Sequence, residues 1–256
     1  MSQKPTGEKI EENVQNTIEE AKQEVATARR PWYRVIRWGY ILLGIYAVQL
    51  ALFALLAFWV HIHPVLPIDI AITREFQENQ APWLRETMVI VSYLGYNFPL
   101  FTLLILLTAA AFWTLRLRLE AIMVVGLSLV SSILNGVIKL VVNRPRPTAS
   151  LVEIIQAASG QSFPSGHVMS YLAFFGLLFS LGVILFYGKR WWRLLLLIIP
   201  ALFVVLVGPS RIYLGDHWAS DVLGAYLIGG VLLGLTLYLY LRLKQRGVLS
   251  SHSREA

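Results

Sequence analysis

Long runs without charge are the feature that most constrains what this chain can fold into. Charged residues make up 14% of its 256 residues, against roughly 25% in an average soluble protein. A membrane-spanning helix needs about 20 mostly apolar residues in succession. Six uncharged runs are candidates, and they are residues 38–60, 98–115, 121–138, 168–187, 194–207 and 222–241. The sequence therefore predicts an all-α, polytopic membrane protein with six transmembrane helices.

The fifth run, 194–207, is the shortest. It spans a bilayer only if Trp191 and Trp192 lie in one interface and Gly208 and Pro209 in the other, where such residues are tolerated. The alternative is a buried helix that does not cross completely.

Basic residues predict the orientation, because cytoplasmic loops near helix ends are enriched in Lys and Arg. With six spans, four basic clusters fall on one side: Arg29, Arg30, Arg34 and Arg37; Arg116 and Arg118; Lys189, Arg190 and Arg193; Arg242, Lys244 and Arg246. Both termini are then cytoplasmic, and segments 61–97, 139–167 and 208–221 face the extracytoplasmic side. The net charge of +7 forms no compact basic stripe, so we expect a bilayer and no nucleic acid as partner.

The predicted organisation is one membrane domain, 31–246, between two polar ends. Residues 1–30 hold eleven charges and no apolar stretch, so they are not a signal peptide. Within them Val14, Ile18, Ala21 and Val25 have helical spacing, which suits either a solvated cytoplasmic extension or a short amphipathic helix that docks on a partner. The outer segment 61–97 could contain an interfacial helix at 69–80, and 247–256 is a cytoplasmic tail.

An ionisable residue inside a span is costly, about 2.5 to 3.5 kcal/mol at a helix centre on insertion scales. Most of the ionisable residues near span ends lie in three of the predicted outer segments. The first segment has Lys139 at the end of span three and Arg146 seven residues later, between Pro145 and Pro147. Prolines on both sides stiffen the backbone that carries Arg146. An equally good reading is that Lys139 snorkels to the headgroups of a basic outer loop.

The second segment, Phe163-Pro-Ser-Gly-His167, leads into span four. Free N–H groups at a helix start attract anions, Ser165 can cap the helix or donate a hydroxyl, and Gly166 allows an oxyanion close to the backbone. A plain capping turn explains Ser165 and Gly166 equally well, but it does not explain His167.

The third segment opens span six and contains Arg211, Asp216, His217 and Asp221. A separation of four residues places His217 and Asp221 on one helix face, and a carboxylate at one imidazole nitrogen leaves the other free for attack or proton transfer. A buried polar network or a metal pair has the same spacing. Asp216 cannot share that face, so we expect it to cap the helix or to face water.

Together the three segments form a phosphate site. Lys139, Arg146 and Arg211 can neutralise phosphoryl oxygens, which is most of what phosphoryl transfer requires. Two histidines and an aspartate could bind zinc, but three adjacent cations oppose it. We therefore expect no metal and no cofactor. The absence of cysteine excludes thiol nucleophiles and disulfides.

These residues resemble the three signature motifs of the type 2 phosphatidic acid phosphatase family: Lys139 with Arg146-Pro147, Pro164 to His167, and Ser210-Arg211 with His217 and Asp221. The resemblance implies that His217 attacks phosphorus to give a phosphohistidine, oriented by Asp221, and that His167 protonates the leaving oxygen. It further implies phosphate binding by Lys139, Arg146, Ser165, Gly166 and Arg211. Arg144 occupies a variable position, where it either adds charge near a diphosphate or faces water.

The implied protein is an integral-membrane lipid phosphatase in the plasma membrane, with its active site facing the extracytoplasmic side. Phosphatidic acid, phosphatidylglycerophosphate and undecaprenyl diphosphate are its candidate substrates. A phosphotransferase that uses an acceptor other than water stays open as an alternative. An anion or lipid transporter is disfavoured because the polar groups gather at one face rather than at mid-bilayer.

Overall fold

The computed structural model describes residues 32–185 and 191–249, and every regular element in these stretches is helical. The helices are α1 Trp32–Ile62, α2 Pro67–Gln77, α3 Pro82–Tyr96, α4 Phe98–Thr114, α5 Arg118–Val142, α6 Gly166–Leu185, α7 Trp191–Tyr213 and α8 Ala219–Gln245. The chain divides into two units, 1–48 and 49–256. The described part of the first is the beginning of α1, and the second contains the other helices.

Five of the described helices, α1, α5, α6, α7 and α8, are long and apolar enough to cross a membrane. The second predicted span, 98–115, differs from the expectation. Helix α4 is 17 residues long, and it qualifies only together with α3, to which it is joined at an angle of 72°. Asn97 lies at the break, where its side chain accepts a hydrogen bond from the Leu100 N–H at 3.1 Å and so caps α4. The all-helical membrane architecture is thus confirmed, with five spans or six.

Helix α7 is longer than the sequence suggested. Instead of ending before Gly208 and Pro209, it continues to Tyr213 and has Pro200 and Pro209 inside it. It therefore meets the length of a span. The amphipathic pattern at 14–25, with Lys189 and Arg190, lies outside the described residues.

The segment 61–97 contains two helices, α2 and α3, where one interfacial helix was expected. Asp69, Thr73 and Gln77 form one face of α2 and are all buried. Gln77 Nε2 donates to the carbonyls of Glu153 at 2.8 Å and Tyr213 at 2.9 Å. The polar face of α2 is therefore turned toward the protein, against the loops that follow α5 and α7.

Helix α6 is the centre of the bundle. Of its most apolar stretch 61% is buried, against 28% for α5 and 33% for α7 and α8. Its Tyr171, Phe174 and Phe175 pack with Phe101 of α4 and Phe203 of α7, with ring centroids 4.6 to 6.2 Å apart. A π-helical turn at Leu172–Gly176 lies within this aromatic cluster. Because α6 begins at Gly166, its packing fixes the position of His167.

A polar contact joins the start of α5 to the end of α8. Glu120, at the start of α5, accepts hydrogen bonds from Lys244 Nζ at 2.9 Å and from the Tyr240 hydroxyl at 2.7 Å, both near the end of α8. Helices α5 and α8 are therefore antiparallel. Their other ends carry Lys139 and Asp221.

Candidate active site

A cavity of about 220 Å³ lies between α4, α5 and α6. Five of the predicted site residues line it: Lys139, Arg146, Gly166, His167 and His217. The other three, Ser165, Arg211 and Asp221, are fully buried behind this wall. The remaining polar lining consists of Thr102, Ser128, Ser132, Asn135 and Ser170. The structure thus brings residues from all three segments together at one cavity.

The loop between α7 and α8 presents His217 to the cavity. Gly215 has φ +73°, and a Cβ there would lie 2.1 Å from the Glu153 carbonyl oxygen, so only glycine fits this turn. The N–H groups of Asp216 and His217 both donate to the Arg211 carbonyl, at 3.2 and 3.3 Å. The position of His217 is therefore fixed by backbone contacts.

His217 and Asp221 are neighbours, although not on one helix face as the spacing suggested. Helix α8 begins at Ala219, so His217 precedes it. Asp221 Oδ2 reaches back toward the chain before the helix, accepting from the Trp218 N–H at 2.9 Å and lying 3.6 Å from His217 Nδ1. Ser162 Oγ also donates to this oxygen and lies 3.4 Å from His217 Nδ1.

The contacts of the imidazole define its tautomer. Asp221 favours a proton on Nδ1, while Arg146 Nη1, 3.3 Å from Nε2, is a donor that needs a lone pair there. Burial, followed by the charges of Arg146, Lys139 and Arg211, lowers the pKa of His217 well below its usual value of 6.5. His217 is therefore neutral at physiological pH, with its Nε2 lone pair at the cavity.

His167 is the second residue of α6 and lines the same cavity. Its Nε2 is buried without a hydrogen-bond partner among the described residues. Gly95 of α3 packs against its ring so closely that a Cβ on Gly95 would lie 2.3 Å from His167 Cδ2. The absence of a side chain at Gly95 therefore makes room for this imidazole.

Ser165 occupies the N-cap position of α6, but its hydroxyl caps no backbone N–H. That hydroxyl is buried and has no partner in the described part of the chain. At Gly166 a Cβ would lie 3.2 Å from Asn135 Oδ1, and Asn135 Nδ2 donates to the Pro164 carbonyl at 3.1 Å. The turn is thus held by Asn135, and the Ser165 hydroxyl takes no part in holding it.

Two of the three predicted cations lie at the cavity wall, where they donate to neutral carbonyls. Lys139 Nζ donates to the carbonyls of Gln161 and Ser162, the second at 3.3 Å. Arg146 donates to the carbonyls of Ser159, Gly160 and Asp216 at 3.1, 3.2 and 2.8 Å. Hydrogen bonds to a charged phosphate are about twice as strong as those to neutral acceptors, so either cation would bind a phosphate more strongly than it binds these carbonyls.

Arg211, the third cation, is buried and pairs with Asp216, and it also donates to the Ser92 hydroxyl. Our expectation for Asp216 was wrong: it neither caps α8 nor faces water. It is 2% exposed, and it also lies 3.8 Å from Arg146 Nη1. The carboxylate is retained inside the protein because a buried guanidinium requires a counter-ion.

Arg144 also departs from expectation. It is 1% exposed and does not line the cavity. Its guanidinium pairs with Asp69 at 2.7 Å and with Asp221 at 2.6 Å. It is therefore part of the support behind His217 and neither faces water nor adds charge at the cavity.

The residues at the site that escaped the sequence reasoning include Asp69, Ser92, Gly95, Asn135 and Ser162. Among them Asp69 carried a usable signal, since it is one of three aspartates in the chain and the other two lie in the third segment. No three His, Asp or Glu side chains are close enough to share a metal ion in the ranges that the structure describes.

Comparison with known proteins agrees with this geometry. A sequence model of the PAP2 superfamily matches residues 119–245. Phosphatidylglycerophosphatase B of Bacillus subtilis (strain 168) is 32% identical over 180 residues, which cover 69% of this chain and 85% of that protein.

One solved structure gives the same relationship. The crystal structure of the transmembrane PAP2-type phosphatidylglycerolphosphate phosphatase from Bacillus subtilis is similar with a TM-score of 0.67 and 29% identity, covering 78% of this chain and 98% of that one. Aquifex aeolicus LpxE has a TM-score of 0.49 at 26% identity, covering 68% and 96%. The chain therefore belongs to the PAP2 superfamily, the family of type 2 phosphatidic acid phosphatases, and is a membrane lipid phosphatase.

Proposed function

We propose that this enzyme hydrolyses the terminal phosphate of a lipid phosphate through a phosphohistidine on His217, without a metal ion. The observation that carries the proposal is the neutral imidazole of His217, whose Nε2 lies at the cavity while Nδ1 faces Asp221 at 3.6 Å. Lys139, Arg146, the Ser165 hydroxyl and Arg211 supply positive charge and donors for the phosphoryl oxygens.

In the first step the Nε2 lone pair of His217 attacks phosphorus, and the bond between phosphorus and the lipid oxygen breaks. His167 takes up a proton as the negatively charged phosphate enters the cavity, and its Nε2 gives that proton to the leaving oxygen, so that the lipid departs as an alcohol. The phosphoimidazole then bears positive charge, which Asp221 stabilises through the Nδ1 proton.

In the second step water attacks the phosphorus of the phosphohistidine. His167, now neutral, accepts a proton from this water, and the bond between Nε2 and phosphorus breaks. Inorganic phosphate leaves, and both histidines return to their starting states. Transfer to an alcohol would differ only in the acceptor that reaches His167.

The substrate that fits best has a polar leaving group. At about 220 Å³ the cavity is below the roughly 300 to 1,000 Å³ of sites that enclose a whole drug-sized ligand. It therefore takes the phosphate and the first atoms after it, and these atoms meet the hydroxyls of Thr102, Ser132 and Ser170. A glycerol linker matches this lining, as in the phosphatidylglycerophosphate for which the Bacillus relatives are named.

We place the cavity on the extracytoplasmic side of the plasma membrane and both termini in the cytoplasm. The basic pairs Arg116 with Arg118 and Arg242 with Lys244 support this orientation, since they lie at helix ends opposite to Lys139 and Asp221. The terminal phosphate of an outer-leaflet lipid can then reach His217 while its acyl chains stay in hydrocarbon.

Phosphate release from a panel of detergent-solubilised lipids tests the proposal. His217→Ala is expected to abolish release, and acid-labile phosphate is expected on wild-type protein but not on this variant. EDTA is expected to leave activity intact. Full activity of His217→Ala, or EDTA inhibition reversed by a divalent ion, would overturn the mechanism.

The same assay decides the substrate. We expect phosphatidylglycerophosphate to have a higher kcat/KM than phosphatidic acid or undecaprenyl diphosphate at matched detergent ratios. Ser132→Ala should reduce that preference. The control Ser180→Ala should not, because Ser180 Oγ donates to the Gly176 carbonyl at 2.8 Å and Ser180 does not line the cavity. Equal kcat/KM values for all three lipids would refute the assignment of a glycerol linker.

A further inference from the structure

Arg144 stands between the phosphate-binding residues Lys139 and Arg146 in sequence, yet its side chain has a different use. Its Nε donates to the Pro64 carbonyl at 2.8 Å, and Nη2 pairs with Asp69 at 2.7 Å. Its Nη1 donates to Ser220 Oγ at 2.7 Å and to Asp221 Oδ1 at 2.6 Å. All three guanidinium nitrogens are thus engaged away from the cavity.

These contacts fix the orientation of the Asp221 carboxylate. Arg144 holds Oδ1, and Oδ2 accepts from the Trp218 N–H at 2.9 Å and from the Ser162 hydroxyl. With Oδ1 held on the far side, Oδ2 is the oxygen that faces His217 Nδ1, at 3.6 Å. A rotation of Asp221 would break three hydrogen bonds, so the carboxylate is kept in place while charge develops on the imidazole.

Asp69 holds the other side of Arg144. Its Oδ2 pairs with Arg144 and accepts from Ser220 Oγ at 2.6 Å, and its Oδ1 accepts from the Ser220 N–H at 2.9 Å. Asp69 is 1% exposed. It belongs to α2, outside the residues 119–245 that match the superfamily.

The charges behind His217 explain why two carboxylates are present. Asp221 with Arg144 alone would be a neutral pair, which stabilises an imidazolium poorly. Asp69 shares the positive charge of Arg144, so the three side chains together carry one net negative charge. Because they are buried, this charge acts on the imidazole through a medium of low dielectric constant.

We propose that Asp69 is a positioning residue for the reaction: through Arg144 it orients Asp221 and maintains one net negative charge behind His217 as the phosphoimidazole forms. The inference rests on the proposed role of His217 as nucleophile. It also gives α2 a role in catalysis, because this helix supplies Asp69, the outermost residue in the series of contacts from Asp69 through Arg144 and Asp221 to His217.

Replacing Asp69 by Asn and Arg144 by Gln tests the charge argument. Asp69→Asn is expected to lower kcat by about 10- to 100-fold, the range typical of outer partners that orient a reactive imidazole, with KM changed less than about threefold because no phosphate contact is lost. The double variant with Arg144→Gln restores the negative charge on Asp221. Its kcat should therefore exceed that of Asp69→Asn.

The pH profile gives a readout that a merely structural role would not move. Removing the Asp69 charge disfavours protonated His217, so the acid limb of kcat/KM should move to lower pH, and Arg144→Gln should move it to higher pH. The charged or titratable groups that face His217 stay the same in both variants: Lys139 of α5, Arg146, His167 of α6, Arg211 of α7, Asp216 and Asp221.

Two further variants keep the outcomes distinct. Glu120→Gln breaks the ion pair between the buried Glu120 and the exposed Lys244 at the far end of the bundle and should change thermal stability without changing the acid limb. Suppose that His217→Ala is inactive but Asp69→Asn has the wild-type kcat and pH profile, or changes only thermal stability as Glu120→Gln does. The positioning role of Asp69 is then wrong, while the proposed function stands. If His217→Ala is active, the proposed function itself fails.

Discussion

The contact between Gly95 and His167 allows a quantitative prediction. A Cβ on Gly95 would lie 2.3 Å from His167 Cδ2 and 2.9 Å from its Cγ and Nε2. Carbon atoms pack best about 3.5 to 4.0 Å apart, so Gly95→Ala requires the imidazole to move by about 1.2 Å or more. Misplacing a catalytic group by about 1 Å can cost about 100-fold in rate. We therefore expect kcat to fall to about 1% of wild type.

Stability should change little in this variant. The ring can move into the adjoining cavity of about 220 Å³, and alanine is favoured over glycine inside a helix by up to about 1 kcal/mol. Gly136→Ala is the matched control, because a Cβ on Gly136 in α5 meets nothing within 4 Å. Both variants should unfold near the wild-type temperature, and only Gly95→Ala should lose turnover.

The assay is phosphate release from solubilised lipid, measured as kcat and KM beside the thermal unfolding of each variant. Wild-type kcat in Gly95→Ala, together with an inactive His167→Ala, would show that Gly95 does not set the position of the imidazole. An active His167→Ala would instead refute the role of His167 as general acid.

Three further predictions concern Ser165, Asp216 and His217. Ser165→Ala should leave the unfolding temperature unchanged, because the hydroxyl has no partner in the described residues. It should lower kcat/KM about 10-fold or more through loss of a charged hydrogen bond to phosphate. A lower unfolding temperature with unchanged kcat/KM would instead mean that the role of Ser165 is structural. Asp216→Asn should destabilise the protein by about 3 to 5 kcal/mol, since it leaves Arg211 buried without its counter-ion. Added phosphate should raise the unfolding temperature of this variant more than that of the wild type. Unchanged stability of the variant would contradict the role of Asp216 as counter-ion. Because burial lowers the pKa of His217 well below 6.5, the acid limb of kcat/KM, corrected for substrate ionisation, should lie below that value. The same group should make the free energy of unfolding decrease as pH falls below 6.5, since the unfolded imidazole binds the proton first. An acid limb at or above pH 6.5 would argue against a neutral His217.

The sequence predicted the helices and the cavity residues because their signals are local. Uncharged runs required spans, and residues from all three segments line one cavity. The side of the membrane on which that cavity lies stays a prediction. The bend between α3 and α4 was missed because α4 looked like a span by itself. The end of α7 was placed too early because Pro209 was taken as a boundary, whereas the helix continues through it.

The errors at Arg144 and Asp216 have a different cause. The partner of Arg144, Asp69, is 75 residues away, and no periodicity connects two such positions. Asp216 was assigned by a helix-face argument, but the helix begins only at Ala219, so the rule did not apply to it. In both residues the sequence revealed the charge, while the fold determined which opposite charge it met.

The ion pair between Arg211 and Asp216 has a consequence for turnover. Asp216 already neutralises this guanidinium, so in the mechanism we propose, a phosphate must share Arg211 with a carboxylate that is in contact with it. Phosphate would then gain less from binding than a bare guanidinium would give, and the inorganic product would be held correspondingly loosely. An internal competitor of this kind favours product release over tight ground-state binding.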